Sequence, residues 1–560
     1  MLKLLWTTIK EHCRPLLLLI LTLGTYFSIV FWKMLSFKPD GLYGGHVNVW
    51  SDWSLHIAIA NTFAFKSPQY WFSYHPLYAS GKFTYPFFTD FISGMLMRLG
   101  LSLKLSFMLP SVIFTIVLLV GMYLLFFLIV KSRKLAVMAV LIFFLSAGFG
   151  FIDYIKDFMA NPSWSFLKYV PKDYGRYDNY QWYAGNMAVG LMIPQRAFLA
   201  GMTLGIWAII GVFYTTIRDK YLLKSTKIKI LAIAGVLAGI LPVTHAHGFI
   251  AVVIISGILC FAHIKKWKLL SRYVVVAGVI SSILFYIFIW GGIETDSFIK
   301  RHLGWSVDGD FFDWLRMWAL IWGAMLPLAV LSLYVNRRTI RLSAMAVYLS
   351  GFTIFTVANL YLFQPIAWDN SKLFWWAYLI FSPLVAILLE KMWINRNLMF
   401  KLAAGLLFAV LISLGTIELV RFIQTDKHSF QMTNNDDIKL GLTLREKTDP
   451  LAIFLTAPSH NHFVMIWGSR PILMGFTAWV WNFGFDYYSR ESDMKKMFLG
   501  VSDVESLLYK YKISYVVIGP SEIYDLRANE EYYKINFPLA FSNDSYRIYD
   551  TRAIWRGDTE

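Results

Sequence analysis

The chain has 560 residues, of which 57% are hydrophobic, 18% aromatic and only 16% charged, and its mean hydropathy is +0.52. An ordinary soluble domain is about a quarter charged, so a soluble globular protein is excluded and a polytopic membrane protein is expected. The formal net charge of +17 would suit a nucleic-acid partner, but its placement argues against one.

In chain order, apolar runs that could cross a bilayer fall near 15–35, 105–130, 135–152, 196–217, 228–242, 248–263, 273–290, 317–335, 342–362, 373–389 and 399–423. The first run is long and ends at Trp32 and Lys33 without a small-residue cleavage site, so no cleaved signal peptide is expected. With the N-terminus inside (Lys3, Lys10, Arg14), each short internal loop is basic: Lys131/Arg133/Lys134, Arg218/Lys220/Lys224/Lys227, Lys265/Lys266/Lys268/Arg272, Arg337/Arg338/Arg341 and Lys391/Arg396/Lys401. This is the positive-inside pattern, and it accounts for much of the excess charge without nucleic acid. The short apolar stretch 84–99 is assigned to the outer interface, since counting it as a crossing would place 131–134 outside. Cys13 and Cys260 both lie at or inside apolar segments, so no disulfide framework is implied.

About eleven crossings follow, with a cytoplasmic N-terminus and an extracytoplasmic C-terminus. The expected architecture is an all-α polytopic membrane domain over 1–423, with large outer loops at 36–104 and 153–195. A small extracytoplasmic α/β domain follows over 424–560. In that tail, 451–456, 470–475 and 514–519 read as strands, with helices near 491–499 and 502–512. The polar chemistry gathers on the outer face.

Asp52 and His56 in SDWSLHIAIA are spaced to share one helical face. Asp52 can cap that helix, or act as a general base in a partly desolvated site. Trp50 and Trp53 read as interface anchors. The turn PVTHAHG presents His245 and His247, which can bind substrate, serve structure, or supply two of the ligands a metal needs. Gln195 and Arg196 begin one span, and Asp369, Asn370 and Lys372 begin another. Cations at the edge of apolar helices either snorkel to headgroups or capture a phosphate. Asp153 opens a second loop rich in acidic and aromatic residues, a composition that suits sugar rings and also an interfacial belt.

The order of these parts resembles the GT-C superfamily of polytopic glycosyltransferases. The likeness lies in an early outer-loop aspartate, in the stretch HPLYASGKFTYPFFTDFISGMLMRLGLSLKLSFMLPS before the second span, and in many spans followed by an outer tail. The resemblance implies transfer of a sugar from a polyprenyl-phosphate carrier, with inversion, to a glycan, lipid or protein acceptor at the outer leaflet. It implies Asp52 as the catalytic base and Arg196 and Lys372 as phosphate ligands. His56, Asp153, Gln195, His245, His247, Asp369 and Asn370 are substrate-binding candidates. In WVWNFGFDY, faintly similar to the acceptor motif of oligosaccharyltransferases, Asn482 stands near the required Asp, so Arg470, Trp479, Trp481 and Asp486 are candidates for an acceptor loop. No metal ligand set is assigned, and a divalent cation is left open. The competing readings are a transporter or lipid flippase, and an oligosaccharyltransferase-like enzyme with a diphosphate donor.

Overall fold

The computed structural model describes residues 10–217, 221–294, 299–308, 310–501 and 503–556. Lys3, Arg218 and Lys220 of the charge pattern lie outside the described residues. The chain divides into two compact units, one of Met1–Lys33, Met108–Phe285 and Ile299–Lys427, the other of Met34–Phe107, Tyr286–Phe298 and His428–Glu560.

The first unit is helical. Over the described residues of the whole chain, eight helices are long and apolar enough to cross a membrane: Cys13–Met34, Leu103–Val130, Arg196–Ile217, Lys224–Thr244, Ile264–Phe288, Leu342–Leu360, Ala367–Trp393 and Leu398–Phe422. A ninth arises if Phe311–Trp322 and Met325–Asn336, bent by 93° at the break between them, make one span. Gly323 sits in that break at φ +57, a value its missing Cβ allows, and its N–H donates to the Ala319 carbonyl at 3.0 Å. The segments expected at 135–152 and 248–263 are helices of 13 and 17 residues, Arg133–Leu145 and Ala246–Ala262, shorter than the ~20 residues a perpendicular crossing needs. The chain is an integral multi-pass membrane protein.

The interior of this unit is aromatic. Trp318 packs on Phe374 with ring centroids 4.6 Å apart and on Phe355 at 4.8 Å, and Trp305 meets Trp182 edge-on at 5.7 Å. Elsewhere the helices close on small residues: a Cβ on Gly415 would stand 2.0 Å from the Leu145 carbonyl oxygen, so Leu398–Phe422 meets the end of Arg133–Leu145 backbone to backbone.

The second unit mixes helix and sheet. Leu35–Lys38 and Gly41–Gly44 form an antiparallel hairpin that pairs with Phe430–Asn434 (Gly41↔Asn434, Leu42↔Thr433). The helix Val47–Phe65 packs on Phe88–Arg98, where a Cβ on Gly94 would lie 2.6 Å from the Ala60 carbonyl oxygen. Phe63 centres an aromatic cluster with Trp71 (5.6 Å) and Phe91 (5.3 Å). A four-stranded sheet pairs Ile453–Leu455 parallel to Ile513–Ile518, and adds Arg547–Asp550 and Leu539–Ser542 antiparallel. Of the strands expected here, 470–475 makes only an isolated bridge (Phe454↔Ile472); Pro471 within it has no N–H for a ladder.

The glycine contact gives a test within one helix. Gly415→Ala forces the Leu145 carbonyl away and is expected to lower the melting temperature in detergent by several degrees, a loss of about 1–3 kcal/mol. Gly405→Ala in the same helix meets only Trp393 at an ordinary 3.7 Å and is expected to leave stability unchanged or raised. Thermal unfolding of the two variants side by side checks the reversal of sign.

Candidate functional site

In the helical unit, the sequence-selected residues at 245–247 and 369–372 converge. The Lys224–Thr244 helix stops because His245 leaves helical geometry at φ −166, ψ 103, and its Nδ1 accepts the Gly248 N–H at 2.8 Å, capping Ala246–Ala262. The His247 ring lies 6.0 Å from it. Both side chains are buried, and among the described residues neither Nε2 has a hydrogen-bond partner. Asp369 and Lys372 form a largely buried ion pair, and both are near enough to act electrostatically on His245. A buried imidazole nitrogen with no partner is costly in protein, so two of them beside an ammonium make a group able to hold a hydroxyl or an anionic oxygen.

Arg196 opens the Arg196–Ile217 helix and is 1% exposed. Its Nε donates to the Ser111 hydroxyl at 3.3 Å, and Phe198, two residues on, meets His245 edge-on at 5.3 Å. Full burial is not snorkelling, in which the charged head stays in water. Gln195 contributes its carbonyl, which accepts the Phe198 N–H at 2.9 Å. Asn370 is a latch: its Oδ1 accepts the Phe363 N–H at 3.1 Å, and its Nδ2 donates to the Ala358 and Tyr361 carbonyls at 2.9 and 2.6 Å.

The acidic residues of the second loop separate into two kinds. Asp153 pairs with Lys156 at 3.0 Å, both more than half exposed (58% and 69%), an arrangement of little energetic value. Asp173 is instead buried beside Glu418 and Arg421, and burial raises its pKa. The Tyr174 N–H donates to Glu418 at 3.0 Å, which fastens this loop to the Leu398–Phe422 helix.

In the mixed unit, Val47–Phe65 begins five residues before Asp52. His46 is its N-cap, its Nδ1 accepting the Asn48 N–H at 3.3 Å, so Asp52 does not cap the helix. It stands half-buried on the second turn. His56, one turn on, is buried, and its Nδ1 lies 2.7 Å from Asp90 on the Phe88–Arg98 helix. Trp53 is 1% exposed and packs on Phe107 at 5.5 Å, so it is a core residue rather than an interface anchor. Trp50 donates its Nε1–H to the Gln431 carbonyl at 2.9 Å.

The acceptor-loop candidates are dispersed. Arg470 is buried and donates to the Arg445 and Thr448 carbonyls (2.7 and 2.6 Å) and to the Thr448 hydroxyl (2.9 Å), satisfying the end of the Asn435–Lys447 helix. Burial lowers its pKa to about 10, so it stays charged. Asp486 caps Tyr487–Leu499, accepting from the Tyr488 N–H at 3.1 Å. Trp479 meets His460 edge-on at 5.1 Å, while Trp481 is partly exposed. Among the described residues, no group of three or more His, Cys, Asp or Glu side chains is placed to hold a metal ion.

No protein-family model matches the sequence, and no curated protein does. Among solved structures, the chain is similar to the archaeal oligosaccharyltransferase AglB from Archaeoglobus fulgidus, in complex with an inhibitory peptide and a dolichol-phosphate. The identity is 12% and the TM-score 0.50, over 92% of this chain and 70% of that one. ArnT from Cupriavidus metallidurans, in the apo state and bound to undecaprenyl phosphate, is 12% identical with a TM-score of 0.48, over 96% of this chain and 98% of each ArnT chain. The chain shares the fold of AglB.

Within this fold, sequence reasoning missed Asp90, Ser111 and His75. Asp90 and Ser111 lie in the very stretch that carried the resemblance, but nothing local marks them as partners of His56 and Arg196. His75 is enclosed by Phe83, Phe483 and Phe485 at 5.4–5.7 Å, and burial lowers its pKa from 6.5 to about 3. The unfolded chain therefore binds the extra proton between those values, and stability falls as pH falls through that window. His75→Asn is expected to flatten the acid limb of melting temperature against pH below about 6.5; an unchanged limb would mean another group sets it.

Proposed function

We propose that the chain is an integral-membrane glycosyltransferase that moves a sugar, with inversion, from a polyprenyl-phosphate carrier to an acceptor on the outer face. The observation that carries this reading is the pair of buried, unpartnered imidazole nitrogens beside the Asp369–Lys372 pair, in a chain whose fold is similar to that of AglB. That protein's structure holds a dolichol-phosphate, a lipid of the same chemical class as the carrier proposed here.

In the proposed reaction, Arg196 and Lys372 hold the carrier phosphate, while His245 and His247 offer Nε2 to its oxygens or to sugar hydroxyls. The acceptor oxygen attacks the anomeric carbon, and the bond from that carbon to the phosphate oxygen breaks. Phosphate leaves with the electron pair, and the acceptor proton passes to the Asp52 carboxylate. A phosphate is already a good leaving group, so charge stabilisation by fixed cations matters more than a strong general acid. His56, tied to Asp90, positions the helix that carries Asp52. The basic internal loops support about eleven crossings with a cytoplasmic N-terminus and an outer tail, and a division of labour between a membrane domain over 1–423 and the outer residues 424–560.

Turnover by purified protein on polyprenyl-phosphate-linked sugars tests the assignment. Asp52→Asn is expected to lower kcat by at least about 10²-fold with an unchanged melting temperature; wild-type turnover would refute the base. Lys372→Met combined with Asp369→Asn removes the pair without stranding a charge, and is expected to raise the donor KM more than it lowers kcat. An unchanged donor dependence would refute the phosphate role.

A further inference from the structure

The mixed unit carries a buried cation that the proposed reaction does not use. Lys66 follows the Val47–Phe65 helix as its C-cap and is 8% exposed. Its backbone carbonyl is occupied, accepting from Trp71 Nε1 at 3.1 Å and Arg98 Nη1 at 3.2 Å. Among the described residues its ammonium has no hydrogen bond and no ion pair. The charges that act on it are Arg470, which opposes it, and Asp449, which favours it. Arg470 offers no relief, since its hydrogen bonds go to backbone carbonyls and the Thr448 hydroxyl.

Lys66 lies on the wall of a hole of about 10 Å³, lined also by Thr62, Tyr74 and Ser469, which is room for about one water. Tyr74 is shared with a cleft of about 630 Å³, lined by Asp449, Tyr511, Lys512, Tyr515, Arg552 and Trp555. Arg552 is neutralised by a two-pronged pair with Asp550, and Lys510 on the same wall by Asp493 at 2.7 Å. In the cleft itself Lys512, on the exposed rim, balances Asp449, so the excess positive charge comes from Lys66 and Arg470 in the adjoining hole, which meets the cleft at Tyr74. Its aromatic rings suit the apolar face of a sugar, and its hydroxyls and charges suit the sugar's polar edge.

We propose that this cleft binds an acidic saccharide, whose carboxylate or phosphate group reaches the Lys66 ammonium past Tyr74, directly or through the one water that the hole admits. All the residues belong to one unit, and none is assigned to the transfer chemistry, so this site stands or falls separately from that reaction. An unpaired buried ammonium loses its proton or acquires an anion. Burial and Arg470 lower the Lys66 pKa to about 7, so an oxyanion that binds it also holds its proton in place.

Calorimetric titration of the full-length protein in detergent with glucuronate, glucose and inorganic phosphate tests the site. Glucuronate is expected to bind saturably and at least about tenfold tighter than glucose, with inorganic phosphate competing more weakly. Lys66→Met is expected to fold, since it removes an unpaired buried charge, and to weaken glucuronate about tenfold while leaving glucose unchanged. Lys512→Glu, on the exposed rim, is expected to weaken glucuronate in the same direction without touching the core. Wild-type affinity should fall between about pH 6 and about pH 9 as Lys66 loses its proton, and that slope should vanish in Lys66→Met. Equal affinity for glucuronate and glucose, phosphate binding tighter than glucuronate, or indifference to both variants would overturn the proposal.

Discussion

A charge carried into an apolar interior must meet a counter-charge, a set of dipoles or a ligand, because the desolvation penalty of an isolated ion is larger than any packing contact returns. Most of the buried ions in this protein follow that constraint visibly. Lys372 is held by Asp369, the Asp90 carboxylate meets the His56 ring, and Arg470 is held by the carbonyls at the end of a helix. Arg421 lies 3.9 Å from both Asp173 and Glu418. These pairs also fix geometry, since each joins elements distant in sequence or stiffens the start of a helix.

The departures from that rule are what give the protein its chemical character. His245 and His247 each commit a ring to the interior and leave Nε2 unanswered, and Lys66 does the same with an ammonium. Buried as they are, such groups are out of reach of bulk water, and a polar group that reaches them removes a desolvation cost.

Hydropathy and loop charge made the helical unit legible in the sequence, because a bilayer imposes length and apolarity on each crossing segment locally. They could not reveal the 93° bend between Phe311–Trp322 and Met325–Asn336, where Gly323 permits the bend without requiring it. The clustering of His245, His247, Asp369 and Lys372 was foreseen as residue types at span ends, yet only tertiary packing brings the two turns together. In the mixed unit the parallel strands near 453 and 513 followed from apolar runs. The strand at 430–434 did not, because its partners lie at 41–44 and pairing at that separation leaves no local trace. Of the two readings of Asp52, the helix cap is the one set aside by the structure, where His46 is the N-cap, because the apolar pattern carries no mark of where the chain first turns helical.

That last pairing has a consequence for the order in which the chain is made. The strand at 430–434 arrives late: the Trp50 indole N–H and the Pro39 carbonyl wait for Gln431 and Asn435, 381 and 396 positions later. At ribosomal rates of about 5–20 residues per second, the hairpin at 35–44 would stand without its third strand for roughly 20–80 s. Throughout that interval an exposed strand edge faces the compartment into which it has been delivered. The hairpin at 35–44 thus keeps one edge open for a strand made several hundred residues later.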